Sequence, residues 1–252
     1  MGERYTRALV RPPNEAYAGC LRPGGVTIDP SRARLQHRSY VSALIRMGVE
    51  VIELSPLDLP DSVFIEDTAV VLGDRVILTR PGAMTRRQEI VTVADHFEEE
   101  GREVVWLEAG TLDGGDILRV GGYVLIGLSG RTDAAGAEAM SRHVLAASMT
   151  PLLVPVEGRV HLKTTCSTLD AVTVLASADT VLPDIPGVRV LRVPRGDEAA
   201  SNCVAFRRSV IIPKGHRGTE ELLGKAGFTP VPLDLGEFEK GGGGATCLSI
   251  RY

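Results

Sequence analysis

Apolar and polar positions along this chain recur in one order: polar corner, strand, two-residue turn, strand, polar loop, helix, strand. One copy opens at Glu66-Asp67 with TAVVL, turns at Gly73-Asp74 and returns as RVILT. It then passes Arg86-Arg87 into a helical stretch over 88–100 and the strand EVVWL. A second opens at Gly115-Asp116 with ILRV, turns at Gly121-Gly122 and returns as YVLIG, followed by Arg131-Thr132, a helix over 133–147 and PLLVPV. A third opens at Ser201-Asn202 with CVAFRRSVIIP and continues through Arg217-Gly218-Thr219 to the helix EELLGKAG and PVPLDL. A fourth, Cys166 to Leu182, reads as a TLDAVTVL strand, a short turn and TVLP, with the helix largely missing. Gly-Asp and Gly-Gly between alternating apolar runs signal tight hairpins. Apolar residues at helical spacing, as at Val91, Ala94 and Phe97, signal helices packed by one face.

The two ends read as halves of a fifth copy. Cys247 to Tyr252 resembles an opening strand with nothing after it, and ALVRPP, a helix over 30–47 and VEVIEL supply the remainder. Pairing of the last strand with the first would close the repeats into a ring and remove the terminal sheet edge. An ordinary sheet of βαβ units is the competing reading; the hairpin inside each unit favours the ring. Residues 1–252 are thus expected to form a single α/β domain of five pseudo-repeats.

Length alone, 252 residues, would allow two domains at about 100–200 residues each. With 44% hydrophobic and 24% charged residues, wholesale disorder is excluded. No apolar run approaches the ~20 residues of a membrane span. Met1-Gly2-Glu3-Arg4 leads straight into a strand-like run without a signal peptide's apolar stretch, so a cytoplasmic setting is expected. The net charge is −4, and 24 arginines against four lysines are scattered without a basic stripe, which argues against nucleic acid as partner. Cysteines 20, 166, 203 and 247 lie far apart with no C-x-x-C, so neither a disulfide framework nor a zinc knuckle is expected.

The polar corners carry the candidate chemistry. They are Pro60 through Asp67, Thr111 through Asp116, Val160 through Lys163, Ala200 through Cys203, and Gly241 through Cys247. Each precedes the first strand of its unit, so a closed ring would gather them near its axis. The resulting pocket would hold carboxylates, His161 and Cys247. A cysteine and a histidine oriented by a carboxylate form a nucleophilic constellation, and the surplus of acids suits a cationic substrate. Cys247 follows a four-glycine run that lets backbone approach a ligand, whereas Cys203 is read as core and Cys20 and Cys166 as non-nucleophilic. Asp67 and Asp116 could instead cap turns; for Asp116 the structural and catalytic readings stay level. Arg86 and Arg131, at matching places after second strands, could be solvated loop charges or a fork for a substrate carboxylate.

The ordered set P-D-S-V-F-I-E-D, R-P-G-A-x-x-R-R, L-D-G-G-D, G-L-S-x-R-T, H-L-K, N-C-V and G-x-T-C-L-S resembles the dimethylarginine dimethylaminohydrolase family over residues 7–251. The resemblance implies a five-bladed ββαβ propeller of the guanidino-group-modifying superfamily, closed by its N- and C-terminal segments. It implies hydrolysis of Nω-methylated arginines to citrulline through a covalent thiouronium on cysteine, with no cofactor and no catalytic metal. Cys247 would be the nucleophile, His161 the general acid and base, and Asp113 its orienting acid. Asp67 would hold the unsubstituted guanidino nitrogen with Glu66 beside it, Asp61 would meet the α-amino group, and Arg86 and Arg131 the α-carboxylate. Leu21 resembles a lid residue that contacts substrate through its carbonyl. Gly241 falls where the family often has an aliphatic residue, so the glycine is expected to loosen that wall. Relatives that deiminate unmethylated arginine or agmatine typically carry H-x-D; Lys163 stands at that third place and leaves one nitrogen position free to accept methyl groups. Another guanidino or ureido hydrolase, and a non-catalytic guanidino-binding propeller, are the competing functions. The expected partner is a small guanidino molecule, with neither nucleic acid nor membrane involved and a homodimer left open.

Overall fold

The structure, a computed structural model, describes residues 5–22 and 26–252. The Met1-Gly2-Glu3-Arg4 segment lies outside them. Among the described residues, fifteen strands form five three-stranded sheets. The first unit contains β1 (Arg7–Val10), α1 (Pro30–Met47) and β2 (Glu50–Glu53). Asp29 caps α1 by accepting from the amides of Ser31 and Arg32, and Pro30 occupies its first turn. The second unit is β3 (Ala69–Leu72), β4 (Arg75–Leu78), α2 (Val91–Glu99) and β5 (Glu103–Trp106). The third is β6 (Ile117–Val120), β7 (Tyr123–Leu128), α3 (Ala134–Ala146) and β8 (Thr150–Pro155). The fourth is β9 (Cys166–Asp170), β10 (Thr173–Ala176) and β11 (Arg189–Arg192), without a helix. The fifth is β12 (Val204–Phe206), β13 (Ser209–Pro213), α4 (Arg217–Lys225) and β14 (Thr229–Leu233). After a short helix α5 (Gly236–Lys240), β15 (Ile250–Arg251) pairs antiparallel with β1 through Ala8↔Arg251 and Leu9↔Ile250. Every sheet is an antiparallel pair extended by one parallel strand, the ββαβ order with the helix missing from the fourth; the pair is a continuous hairpin in four sheets and is formed by β15 and β1 in the other.

The middle strand of each sheet explains the ring. Side chains alternate across a strand, and here both faces are buried. Val76 and Leu78 of β4 enter one apolar cluster and Ile77 the next; Val124 and Ile126 of β7 enter one and Leu125 the next. The same division holds for Val174 and Leu175 of β10, Val210 and Ile211 of β13, and Ala8 and Leu9 of β1. Five separate cores result, each sealing two neighbouring blades, and the fifth joins the last sheet to the first. The fold is therefore the five-bladed ββαβ propeller that the repeats and the family resemblance led us to expect.

The fourth unit corrects the sequence reading. TLDAVTVL is not one strand but the β9–β10 hairpin, turning at Ala171-Val172. The outer strand is Arg189–Arg192 rather than TVLP, because Pro183 and Pro186 withhold backbone donors from a ladder at that point. At the C-terminus, Cys247 sits in a 3₁₀ turn (Thr246–Leu248), and the strand proper begins at Ile250. Among the described residues no helix is long and apolar enough to cross a membrane.

Candidate active site

Short 3₁₀ turns at the polar corners, immediately before the inner strands, carry the candidate residues. Ile65–Thr68, Gly114–Asp116, Leu162–Thr164 and Thr246–Leu248 each precede an inner strand and pack beside one another. His161 Nε2 donates to Asp113 Oδ2 at 2.9 Å, and its Nδ1 lies 3.8 Å from Asp67 Oδ1. Asp113 is fully buried and its other oxygen accepts from the Gly82 amide at 2.9 Å, so the carboxylate is held by two loops. Gly115 makes the close approach possible. A Cβ there would meet His161 Nδ1 at 2.6 Å and Asp67 Oδ1 at 2.8 Å, and its amide donates to Asp67 Oδ1 at 2.9 Å.

Electrostatics divides these groups. Burial pulls the His161 imidazole down, but Asp67, the Asp113 bond and Asp116 more than offset it and raise it to about 9. Burial likewise opposes ionisation of Asp67, yet His161 and Arg86 hold its carboxyl down at about 2. Cys247 moves the other way: burial, then Glu66 and Asp67, push its thiol up to about 11, against hydrogen bonds from Gly244 and Thr246. In the free protein at neutral pH the pair is therefore an imidazolium and a thiol. A cation bound beside Sγ would reverse the effect of the two carboxylates.

Glu66 and Lys163 form the layer beneath. Lys163 Nζ lies 2.7 Å from Glu66 Oε1, and Arg251 Nη2 lies 2.8 Å from the same oxygen, while Glu66 Oε2 is buried without a hydrogen-bond partner. A central channel of about 680 Å³ reaches Glu66 and Lys163, but Cys247, His161 and Asp113 do not line it. The Leu21 amide donates to Asp61 at 3.1 and 3.3 Å, bringing together the expected lid residue and the expected α-amino partner. Burial is the leading influence raising the Asp61 carboxyl, while Arg86, the Leu21 amide and Arg131 counteract it. Arg131 is half-buried there.

Two expectations meet a different arrangement. Arg86 is no loop charge. It is buried, with Nη1 2.5 Å from Asp67 Oδ2, Nη2 2.8 Å from Glu89 Oε2 and 2.9 Å from the Phe64 carbonyl, and Nε bonded to Glu89. Most of its donors are thus spent inside the protein. Gly241 does not loosen the wall either: a Cβ there would meet Tyr17 Oη at 2.5 Å, Phe64 Cζ at 3.1 Å and Cys20 Sγ at 3.3 Å, so these side chains already fill the space.

Other residues carry roles that sequence reasoning did not assign. Asp116 accepts from Ser129 Oγ, Thr132 Oγ1 and the Leu162 amide, which decides for its structural reading and holds the turn that follows His161. Glu89 neutralises Arg86, and Arg251 joins the Thr246 carbonyl to Glu66. Asn202 bonds the turn that bears Cys247. Only its place in a corner matching the others could have pointed to it. Cys203 and Cys166 are buried in apolar clusters, as expected for Cys203. Asp67, Asp113 and His161 present ligand atoms within 4.8 Å of one another. Two of the three already bond each other, and Arg86 neutralises the third, so the trio is complete as an acid–base set.

A buried cysteine, a histidine locked by a carboxylate and a cluster of acids, all at the corners of a five-bladed propeller, define the class of amidine-modifying enzymes. Residues 56–203 match the family model described as arginine deiminase. The N(G),N(G)-dimethylarginine dimethylaminohydrolase of Streptomyces coelicolor is 37% identical over 97% of this chain and 96% of its own. Among solved structures, that of Pseudomonas aeruginosa DDAH, a cysteine-to-serine mutant complexed with citrulline, superposes with a TM-score of 0.94 at 30% identity, covering 99% of this chain and 100% of that one. A dimethylarginine dimethylaminohydrolase histidine-to-glycine mutant, an adduct with S-methyl-L-thiocitrulline, superposes with a TM-score of 0.93 at 30% identity over 98% and 100% of the two chains. The chain belongs to the dimethylarginine dimethylaminohydrolase family.

Proposed function

We propose that this protein hydrolyses Nω-methylated arginines to citrulline, releasing methylamine or dimethylamine. The observation that carries the reading is the His161–Asp113 bond beside Asp67, a carboxylate whose charge also acts on the Cys247 thiol. A cationic guanidinium between Asp67 and Cys247 stabilises the thiolate, and the thiol proton passes to solvent because His161 already carries its own. The sulfur attacks the guanidinium carbon, forming a C–S bond and a tetrahedral adduct. His161 donates its proton to the alkylamine nitrogen as the C–N bond breaks, which leaves a covalent thiouronium. Water, deprotonated by His161, adds to that carbon; the C–S bond then breaks as the added hydroxyl gives up its proton to solvent, and citrulline and the thiolate result. Asp61 with Leu21 serves the amino-acid end of the substrate, and Arg131 is the carboxylate anchor with a free head. No cofactor enters the scheme.

Lys163 favours methylated over plain arginine. Where a second acid would clasp the other terminal nitrogen, this chain has a cation already paired with Glu66 at 2.7 Å. Methyl groups therefore need not displace a carboxylate's hydrogen bond. A cytoplasmic setting fits the four free thiols, all of them buried. Incubation with dimethylarginine should yield citrulline and dimethylamine in equal amounts, and Cys247→Ser should reduce the rate at least ~10³-fold. Ammonia from arginine, without alkylamine from the methylated compounds, would overturn the substrate assignment.

A further inference from the structure

Cys247 Sγ is surrounded by donors that no step of the scheme above uses. The Gly244 amide points at it from 3.4 Å, Thr246 Oγ1 lies at 3.9 Å, and Asn202 Nδ2 lies at 3.9 Å. Asn202 is buried in the fifth polar corner, between Ser201 and Cys203. Its orientation is fixed by chemistry: Oδ1 accepts from the Thr246 amide at 2.8 Å, and a backbone N–H can only donate. The NH₂ end must then face the sulfur. The Asn202 amide packs directly against Gly244, where a Cβ would stand 2.4 Å from Asn202 Cγ, so glycine at 244 is what makes this approach possible.

We propose that Asn202 is a further catalytic residue of this site, its carboxamide N–H completing with the Gly244 amide and the Thr246 hydroxyl a three-donor cradle for the Cys247 thiolate. The inference rests on Cys247 being the nucleophile of the proposed reaction. Buried beside Glu66 and Asp67, the anionic sulfur needs compensation inside the protein. Neutral donors supply it without adding a positive charge that would repel a cationic substrate. The cradle acts twice: when Sγ becomes a thiolate to attack, and when it is expelled as a thiolate from the thiouronium. Asn202 also joins the fifth corner to the C-terminal turn, which holds the sulfur in place while its charge changes.

The test reads the thiol directly, apart from turnover. Asn202→Asp keeps the oxygen that accepts from Thr246 and replaces the N–H facing Sγ with a carboxylate oxygen, so its shift adds a like charge to the lost donor. Thr246→Val and Asn202→Ser, which add no charge, isolate the donor's share. The rate of Cys247 alkylation by neutral iodoacetamide, followed by peptide mass spectrometry from pH 6 to 11, gives the ionisation of this one cysteine. The variant should shift the profile upward by about one pH unit or more, an approximately tenfold slower alkylation at a fixed pH on the rising limb. Thr246→Val, which removes a hydroxyl and nearly conserves volume, should shift it in the same direction by less. An unshifted profile in both folded variants overturns the proposal. If Asn202→Asp does not fold, Thr246→Val and Asn202→Ser decide it by the same reading, an upward shift supporting the cradle and an unshifted profile overturning it. The profile is read with or without citrulline formation, so failure of the substrate assignment remains separate from failure of the cradle.

Discussion

At the scale of single residues, the site shows how one charge serves two neighbours. Arg86 neutralises Asp67 and Glu89 at once, and burial of the three leaves Glu89 protonating near 7 despite the guanidinium beside it. Burial is the largest influence on Glu89, and Arg86 opposes it. Arg131, half-buried with its backbone tied to Ser129, has no such internal acid among its hydrogen bonds. The two arginines, matched in sequence, should therefore separate in kinetics. Arg86→Ala strands buried carboxylates and should cost about 3–5 kcal/mol in chemical denaturation, together with kcat, because Asp67 loses its hold. Arg131→Ala should raise KM for dimethylarginine by about 10–100-fold with stability within ~0.5 kcal/mol. Unchanged stability with a pure KM effect at Arg86 would return it to the role of substrate fork. The sequence showed both arginines after second strands, but it could not show that one turns inward, because its partner Glu89 lies in a stretch read simply as helix.

At the scale of elements, α1 and the fourth unit mark where local pattern is and is not enough. The expected helix over 30–47 coincides with α1, since Asp29, Pro30 and Gly48 punctuate it in the sequence itself. The fourth unit lacks such punctuation: an unmarked hairpin at Ala171-Val172 and two prolines hid its strand bounds. Of the candidate site, Asp113 and Asp67 were legible because hairpin signals placed their corners, and His161 and Cys247 through the H-L-K motif and the four-glycine run before T-C-L-S. Asn202 and Asp116 depend on contacts 44 and 46 residues away, beyond any local pattern. α1 also buries a histidine on its inward stripe, at helical spacing between Ala33 and Tyr40. His37 is 1% exposed, both ring nitrogens lack partners, and burial with nearby Arg38 lowers it to about 4 from the ordinary 6.5. Because the folded-state value is depressed, its contribution is fully present above 6.5 and is lost as pH falls toward 4. The loss is on the order of 3 kcal/mol. His37→Leu should flatten the fall in denaturation free energy between pH 6.5 and 4. A slope equal to the parent's would show that other groups drive it.

At the scale of the whole molecule, the propeller is only as closed as its seam. Four sheets join their inner strands by continuous hairpins, whereas the fifth depends on β15, two residues long, docking on β1. Tyr252 reinforces that seam. Its carbonyl accepts from the amides of Thr6 and Arg7, its ring lies under Arg7 and Arg102 and edge-on to Phe97, and its hydroxyl donates to Glu100. The same end carries Arg251, which reaches Glu66 and the Thr246 carbonyl, and the turn of Cys247 lies just before it. Closing the ring and positioning Cys247 are thus one structural act. Tyr252→Ala removes the ring contacts and hydroxyl but keeps the backbone bonds, and should lower stability by about 1–3 kcal/mol, or roughly 2–10 °C in Tm. Hydrogen exchange should then speed up together at β1, at β15 and in the Thr246–Leu248 turn, while β7 and β13 in the continuous sheets keep their protection. Faster exchange confined to Ile250 and Arg251, with β1 unaffected, would mean that the seam is held by the inter-blade core of Ala8, Val10 and Leu248 and that Tyr252 only decorates it.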